Sequence, residues 1–390
     1  MEYFKEFAKY STKFEISQYM NEKISIIIPS YNSETSIERC VRSAALQSYA
    51  DAEIIVVDDA STDGTPKVLA SLEKEIPGLR VICKEKNGGV SAARNTGIEA
   101  AAGKWLVTLD GDDYIEKGML EALYTAAHRI CGSADFRGSA AEKPATAGAD
   151  PAAAEMTVCG IRLVWPDHAE VIEAPAEEKL PADEFLSRYM CTLWDTHLLT
   201  THANKLYDLE LIKRENLRYR EDLRINEDID FVFRYLAHCQ SIAMTKGAYM
   251  NYVQHDAGKS NITTYRENGL SSSLTVLEDF LQLAACLPEC DSAKFAAKKA
   301  CQGALTEECL RGMDRRLFVH ILSFAGLMYK NSTLSNAEKL AELTKTCSSG
   351  DFRTLASLVQ PGDLKERIAA FLLKNGQIRL YDVLCRLIYK

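Results

Sequence analysis

Two short runs of β-branched residues near the N terminus, each ended by turn or polar residues, constrain the fold of this chain most strongly. The first is Ile24–Pro29 and the second is Glu53–Asp59. Apolar runs of this length are typical of buried strands. Between them, apolar residues recur at helical spacing over residues 36–47. The pattern predicts a strand, a helix and a second buried strand.

The same alternation continues along the chain. It predicts helices at residues 65–75, 90–101 and 117–130, with strands at residues 80–84 and 105–109. Four strand and helix units within about 110 residues predict an α/β fold with a parallel sheet between helices. Ligands of such sheets bind beyond the carboxyl ends of the strands. The polar residues that follow each strand are therefore the candidate site.

Length and composition indicate a soluble globular chain of two domains. The chain has 390 residues, of which 47% are hydrophobic and 26% charged, too many residues for one ordinary core. No apolar stretch approaches the roughly 20 residues that span a bilayer, and residues 1–22 lack the features of a secretory signal. Twelve scattered cysteines without a Cys-x-x-Cys pair are expected to be reduced and mostly buried thiols. We therefore expect a cytoplasmic protein.

The charge balance argues against a general nucleic-acid partner. The formal net charge is −9, whereas affinity for nucleic acids depends on clustered Lys and Arg that neutralise phosphates. Any anionic ligand therefore needs a local site, and no nucleic-acid partner is expected.

The chain is predicted to have three parts. Residues 1–22 form an N-terminal extension, residues 23–268 the α/β domain and residues 269–390 a helical accessory domain. Within the α/β domain, the Ala-rich segment 132–156 reads as a flexible surface insertion. After it, residues 158–172 suggest a hairpin that turns at Pro166 and Asp167.

Three carboxylates follow the fourth predicted strand, at Asp110, Asp112 and Asp113. Like charges this close repel unless a cation lies among them. One or two carboxylates together with substrate phosphates commonly hold Mg²⁺ or Mn²⁺. The alternative is a solvated turn in which Asp113 caps the next helix.

A second acidic element precedes an apolar helical stripe. Glu227 and Asp228 are predicted at the N terminus of that helix, where the helix dipole favours carboxylates. The two interpretations are simple charge complementarity and a general base at the rim of a pocket.

A glycine turn at residues 87–97 leads into a third helix, with Arg94 about one turn inside it. The dinucleotide fingerprint is absent after the first strand, and so is the Gly-Lys-Ser/Thr phosphate loop. A nicotinamide or flavin Rossmann domain is therefore disfavoured.

Taken in order, four sequence blocks closely resemble the signature blocks of inverting family-two glycosyltransferases with the GT-A fold. The resemblance covers about residues 23–260, and the four blocks are residues 26–32, 56–65, 87–97 and 109–113. It implies the GT-A nucleotide-diphospho-sugar transferase fold and an enzyme that transfers a hexosyl or N-acetylhexosaminyl group with inversion, in bacterial cell-surface polysaccharide or glycolipid synthesis.

The resemblance also implies roles for individual residues. Pro29 and Tyr31 would line the nucleoside pocket, Asp59 would bond the base, and Asp58 would support it. The other nucleotide or substrate contacts would be Asn87, Arg94, Asp110, Asp112, Asn204, Lys205, Glu227 and Lys259. Asp112, Asp113 and His255 would hold Mn²⁺ or Mg²⁺, and Asp228 would be the catalytic base. The family's late basic segment is replaced here by residues 252–260, so His255 and Lys259 are equally candidates for ordinary loop residues.

The expected partners are a nucleotide-sugar donor, most simply a UDP-sugar, and a carbohydrate or lipid-linked acceptor. The alternatives are a catalytically silent nucleotide-sugar-binding module that acts through its helical domain, and a nucleotidyltransferase. Residues 364–390 hold six basic and two acidic side chains with apolar residues at roughly helical spacing. This pattern predicts a basic amphipathic helix. The helix packs against other helices of the protein or against a second subunit, or it lies on the inner face of the cytoplasmic membrane.

Overall fold

A computed structural model of the chain describes residues 22–129, 153–254, 268–286, 306–331 and 333–389. The chain divides into two compact units. The sheet unit comprises Met1–Ala182, His202–Asn216 and Cys239–Val253, and the helical unit comprises Asp183–Thr201, Leu217–His238 and Gln254–Lys390. This division differs from the sequence-based boundary near residue 268, because two earlier segments pack with the C-terminal helices.

The sheet unit contains one ten-stranded sheet among its described residues. Its strands are β1 Ile24–Ser30, β2 Ala52–Asp58, β3 Leu79–Cys83, β4 Trp105–Thr108, β5 Tyr114–Ile115, β6 Met156–Val164, β7 Ala169–Ile172, β8 Lys179–Pro181, β9 Lys205–Asp208 and β10 Ser241–Val253. The spatial order is β3-β2-β1-β4-β9-β6-β10-β5, with β7 beside β6 and β8 beside β10.

The first half of the sheet confirms the strand and helix alternation. β1 pairs in parallel with β2 and β4, and β2 pairs in parallel with β3. β1 is buried along its whole length, because it has a neighbour on each side and helices on the faces. This explains its unbroken run of apolar and small residues.

The second half of the sheet is mixed, which the alternation does not predict. β9 runs antiparallel to β4 and β6, while β10 runs parallel to β6. The expected hairpin is confirmed, because β6 pairs antiparallel with β7 and the Trp165 N–H donates to the His168 carbonyl at 2.9 Å. β10 escapes prediction because its register shifts around Gly247, whose φ of 100° interrupts the side-chain alternation.

Thirteen helices lie among the described residues of the two units. They are α1 Ile37–Ala45, α2 Thr65–Glu75, α3 Val90–Ala100, α4 Met119–Ala127, α5 Ala182–Asp195, α6 Leu209–Arg214, α7 Glu227–Leu236, α8 Gly269–Cys286, α9 Glu307–Asn331, α10 Asn336–Cys347, α11 Gly350–Leu358, α12 Leu364–Lys374 and α13 Ile378–Ile388. The single C-terminal helix expected from the sequence is two helices, because Gly376 adopts a φ of 68° between α12 and α13.

The last residues of the Ala-rich segment hold more structure than the sequence suggests. Residues 132–152 of the Ala-rich segment lie outside the described residues, but Ala154 is buried, its N–H donates to the Ala127 carbonyl at 2.7 Å, and β6 begins at Met156. The predicted insertion therefore does not extend to residue 156, because β6 begins there.

Glu22, the last residue of the predicted N-terminal extension, is bound into the sheet unit. Its carboxylate accepts hydrogen bonds from Lys104 Nζ at 2.5 Å and from Trp105 Nε1 at 2.8 Å. Burial alone would raise its pKa, but hydrogen bonds from His128, Lys104 and Trp105 lower the pKa of Glu22 to about 2. The ordered domain therefore begins at or before this residue.

We predict that Gly97→Ala destabilises the sheet unit. A Cβ at Gly97 in α3 would lie 2.3 Å from Cγ2 of Ile27 in β1, so the helix would have to move away from the strand. Overpacking of this kind costs about 1–3 kcal/mol, more than the roughly 1 kcal/mol that alanine gains over glycine in a helix. Thermal unfolding followed by circular dichroism should show a lower midpoint.

Gly350→Ala is the matched control, because a Cβ at this helical position would meet no atom within 4 Å. It should leave the midpoint unchanged or raise it. A Gly97→Ala protein as stable as the control would mean that α3 does not rest on β1 at this point.

Candidate nucleotide-binding edge and carboxylate helix

The loops after β1 and β2 are tied together at the carboxyl edge of the parallel strands. Asn32, which follows β1 with a φ of 50°, donates its N–H to Ser61 Oγ at 2.9 Å. Its side-chain Oδ1 accepts from the Thr62 N–H at 2.8 Å. Pro29 is buried within β1, whereas Tyr31 is 50% exposed beside it. An aromatic ring at this edge is available for stacking on a base.

Asp58 and Asp59 end β2 and are both buried. Asp58 accepts a hydrogen bond from Ser61 Oγ at 2.5 Å, and the Asp59 N–H donates to the Ser30 carbonyl at 2.8 Å. The two residues therefore fix the β1 and β2 loops against each other, whatever further contact either makes with a base.

The carboxylate of Asp59 holds the glycine turn before α3. It accepts from Lys84 Nζ at 2.6 Å, from the Gly88 N–H at 3.0 Å and from the Gly89 N–H at 2.7 Å. Asn87 Nδ2 donates to the Asp59 carbonyl at 3.1 Å. The backbone N–H groups of this turn are thus engaged by a side chain of the protein, and Asn87 acts here as a clamp on β2.

Arg94 and Asp110 form a buried ion pair across the same edge. Arg94 is 2% exposed, and its Nη2 lies 2.8 Å from Asp110 Oδ1. His202 Nε2 lies 3.6 Å from the same oxygen. Burial would raise the pKa of Asp110, but the charges and hydrogen bonds of Arg94 and His202 hold it well below the usual range. Asp110 is therefore ionised at neutral pH.

Asp113 lies three residues after Asp110 in a contrasting environment. It is 1% exposed, its Oδ1 accepts from the Val253 N–H at 2.8 Å, and its Oδ2 has no hydrogen-bond partner within the described ranges. Burial and the negative charges of Asp112 and Asp110 raise its pKa well above the usual value. Asp112 itself is half-buried.

These residues fit a cation held by few protein ligands. Within the described chain, no group of three or more His, Cys, Asp or Glu side chains is placed to hold a metal ion. Mg²⁺, however, is usually held by one or two carboxylates together with substrate phosphates. Half-buried Asp112 and the unpartnered Oδ2 of Asp113 could supply these two carboxylate ligands. His255 and Lys259 lie outside the described residues.

Asn204 and Lys205 are fully buried inside the sheet unit. Asn204 Nδ2 donates to the Cys159 carbonyl at 2.8 Å, and Lys205 Nζ donates to Asn204 Oδ1 at 2.8 Å. Their observed contacts join β9 to β6, and the role of either residue toward an acceptor stays a prediction.

The second acidic element is confirmed as a helix N terminus in the helical unit. Glu227 and Asp228 are the first two residues of α7, and both are half-buried. Asn226 precedes them with a φ of 66°, and its Nδ2 donates to Ser273 Oγ in α8 at 3.3 Å. Asn226 therefore anchors the start of α7 to α8.

A buried pair of carboxyl groups anchors the next turn of α7, and the sequence-based site did not include it. Asp230 is fully buried, Asp279 in α8 is nearly so, and the negative charge of Asp230 acts on Asp279. Arg234 also bonds Asp230. Burial and the charge of Asp230 raise the pKa of Asp279 to about 8, so the folded chain favours a proton on Asp279. An acidic residue within the apolar stripe of a helix was the signal that could have revealed it.

The comparisons with known proteins agree with the four sequence blocks at residues 26–32, 56–65, 87–97 and 109–113. Residues 25–142 match the family model described as glycosyl transferase family 2. EpsJ of Bacillus subtilis, an uncharacterized glycosyltransferase, is 30% identical over 228 residues, which are 58% of this chain and 60% of EpsJ. The succinoglycan biosynthesis protein ExoO of Rhizobium meliloti is 28% identical over 262 residues, which are 66% of this chain and 68% of ExoO. The match thus spans less than two thirds of the length of EpsJ.

The fold has a counterpart among solved structures. Residues 1–349 of TarS from S. aureus, in complex with UDP-GlcNAc, align with a TM-score of 0.59 at 18% identity, over 94% of this chain and 91% of that one. The family match over residues 25–142 and the fold counterpart together confirm the resemblance that the sequence blocks show and the predicted fold class, the GT-A fold.

We predict that Asp279→Asn stabilises the protein as the pH rises. The folded chain keeps a proton on the Asp230 and Asp279 pair, whereas the unfolded chain releases it near pH 4. Because the folded-state pKa is raised, the parent loses stability as the pH rises from the unfolded-state pKa near 4 toward the folded-state pKa. An asparagine keeps a hydrogen-bond donor and has no proton to lose. Its free energy of unfolding, from urea titrations, should therefore exceed the parent's by more at about pH 7.5 than at about pH 5.

Asp351→Asn, at an exposed position in α11, should follow the parent's pH profile. An Asp279→Asn protein whose difference from the parent is the same at both pH values would show that the pKa of Asp279 is not raised in the folded chain.

Proposed function

We propose that this chain is a glycosyltransferase that moves a sugar from a nucleotide-diphosphate donor to an acceptor hydroxyl, with inversion at the anomeric carbon. The observation that carries the proposal is the acidic turn after β4. There, buried Arg94 keeps Asp110 ionised. Asp113, next to half-buried Asp112, has a buried oxygen without a hydrogen-bond partner among the described residues. This combination of a fixed cation, an unpartnered oxygen of Asp113 and the neighbouring Asp112 suits a nucleotide diphosphate.

The donor we propose is a UDP-sugar with a hexosyl or N-acetylhexosaminyl group. Half-exposed Tyr31 at the edge of β1 supports base stacking. The fold counterpart TarS has been solved with UDP and with UDP-GlcNAc. In this proposal Arg94 sets the orientation of Asp110, and Asp110 accepts from the ribose of the donor.

The proposed cofactor is Mn²⁺ or Mg²⁺, held by Asp112 and Asp113 with His255 as a further candidate ligand. When bound, such an ion neutralises the charge that the leaving diphosphate gains. The protein's own part is to supply carboxylate oxygens in a partly buried position, where electrostatic interactions are stronger than in water. Lys259 remains a candidate for the leaving-group side.

Asp228 is the proposed general base. An acceptor hydroxyl must lose a proton as its oxygen attacks the anomeric carbon, and a carboxylate oxygen of Asp228 would take that proton. Inversion needs one displacement and no covalent nucleophile. The bond from Asn226 to Ser273 supports this assignment because it holds the start of α7 against α8. Glu227 and the Asn204 and Lys205 pair remain candidates for the substrate side.

The acceptor we propose is a carbohydrate or a lipid-linked carbohydrate, in the synthesis of a cell-surface polysaccharide or glycolipid. The relation to ExoO, a succinoglycan biosynthesis protein, supports this class. We place the reaction in the cytoplasm at the inner face of the membrane. Eight cysteines of the described chain are free thiols and six of these are buried, as expected for a reducing compartment.

The metal assignment predicts that UDP binding depends on Mn²⁺ and on Asp112. Isothermal titration should show weaker binding of UDP in EDTA than with Mn²⁺. Asp112→Asn should lower the affinity measured with Mn²⁺ by a factor on the order of 10 to 100. Losses of this size follow even when a residue that only hydrogen-bonds a metal ligand is removed.

Asp167→Asn, at an exposed turn of the sheet unit, is the matched control and should bind UDP as the parent does. Equal UDP affinity with Mn²⁺ and with EDTA, unaffected by Asp112→Asn, would refute the metal assignment.

The base assignment predicts that Asp228→Asn abolishes transfer and leaves donor binding nearly intact, because the base acts on the acceptor's proton and not on the nucleotide. The loss in turnover should be about 10²–10⁴-fold, measured as UDP released from a panel of UDP-sugars in the presence of acceptors. Glu227→Gln should be milder.

Asp222→Asn makes the same chemical change at an exposed residue of the helical unit and should retain the parent's turnover. An Asp228→Asn protein within about tenfold of the parent would exclude this residue as the base. A parent that binds UDP-sugars tightly but never turns them over would favour the silent binding module.

A further inference from the structure

The last two helices expose an unusual amount of apolar surface. Twelve large hydrophobic side chains are exposed among the described residues, and eight of them lie in residues 364–389. They include Leu364 at 71%, Phe371 at 61% and Leu387 at 63% exposure. Single exposed hydrophobic residues need no explanation, but a concentration of them marks an interaction surface.

These side chains form one stripe on each helix. In α12 the stripe is Leu364, Ile368 and Phe371, at spacings of four and three residues, and in α13 it is Leu380, Val383 and Leu387, at spacings of three and four. Residues three and four apart share one face of a helix. We call these two stripes together the C-terminal apolar face.

The same helices bury a different set of side chains inside the helical unit. α12 buries its Ala369 and Leu373, and α13 buries its Tyr381 and Cys385. The docking within the protein that the sequence suggested is therefore present. Because that packing uses other positions, it leaves the C-terminal apolar face uncovered.

The charges of this region are sorted by sign. Its two acidic residues, Glu366 and Asp382, are buried. Glu366 accepts two hydrogen bonds from Arg315 at 2.9 Å, and Asp382 bonds Tyr329 and Arg386. The exposed charged residues of positions 364–389 are all cations, namely Lys365, Arg367, Lys374 and Arg379.

We propose that the C-terminal apolar face docks on an anionic lipid surface. Apolar stripes flanked by exposed cations are the pattern of helices that lie in the headgroup region of a bilayer, with Lys and Arg near anionic headgroups. Within the described residues no helix has the length and apolar character needed to cross a membrane, so the contact is peripheral. This inference deepens the location in the proposed function and does not depend on the transfer reaction.

The charges favour lipid over a second copy of the chain. In a symmetric dimer the same patch faces itself, so the cations around one apolar face would meet those of the other. Like charges brought together across an interface oppose association. An anionic bilayer instead complements the cations and accepts the apolar side chains. The local positive charge also contrasts with a chain whose net charge is −9.

The test is flotation of the full-length protein with vesicles of phosphatidylcholine alone and of phosphatidylcholine mixed with phosphatidylglycerol. The parent should float with the anionic vesicles at low salt and much less at high salt. Lys365→Gln, Lys374→Gln and Arg379→Gln combined should lower the partition coefficient on the order of 100-fold, because each cation contributes to binding at an anionic surface. Phe371→Ser with Leu387→Ser should also abolish flotation.

Leu46→Ser is the matched control, because Leu46 is as exposed but lies in the sheet unit, and it should float like the parent. The charge variant alters exposed residues only, so it tests the proposal even if the apolar variant fails to fold. UDP binding by each variant separates a failure of docking from a failure of the proposed function. Absence of flotation, equal flotation with both vesicles, or self-association lost in Phe371→Ser with Leu387→Ser would each overturn the proposal.

Discussion

The buried carboxylate of Asp59 makes the contacts on which the candidate nucleotide-binding edge depends. It neutralises Lys84 and accepts the N–H groups of Gly88 and Gly89, so it determines where the glycine turn lies and where α3 begins. The start of α3 in turn places Arg94, one turn later, against Asp110. An unpaired carboxylate at this depth would be costly, and an unheld turn could not fix Arg94. One acid therefore connects three strand ends into a single edge.

The acidic turn after β4 shows how one short sequence can shift the pKa values of two carboxyl groups in opposite directions. Asp110 and Asp113 are three residues apart, yet the pKa of the first is lowered by Arg94 and His202 and that of the second is raised by burial and by its neighbours. The negative charge that Asp110 keeps is one reason why Asp113 resists ionisation. An added cation near Asp113 would lower its pKa. The positive charge would offset the cost of burying the ionised carboxylate and its repulsion from Asp110 and Asp112.

The sequence predicted those parts of the fold and site that depend on local pattern. Runs such as Ile24–Ile28 announce buried strands because both faces are covered, and the start of α7 at Glu227 follows from an apolar stripe behind acidic residues. β10 was missed because Gly247 breaks its alternation. The partners of Asp59, 25 to 30 residues away in sequence, and the Asp230 and Asp279 pair depend on tertiary packing, which no local pattern encodes. The roles of His255 and Lys259 stay predictions.

Composition alone would also have missed the sign of the charge around the last two helices. The chain as a whole is acidic, which argues against a general polyanion binder, but the acids of α12 and α13 are turned inward. Glu366 pairs with Arg315 and Asp382 with Arg386, so folding removes them from the surface and leaves cations beside apolar side chains. Buried acids need partners, and the partner of Glu366 comes from α9 while Arg386 is only half-buried. The positive character of the C-terminal apolar face is therefore a product of packing, and a change that returned either acid to the surface would weaken it without altering the net charge of the protein.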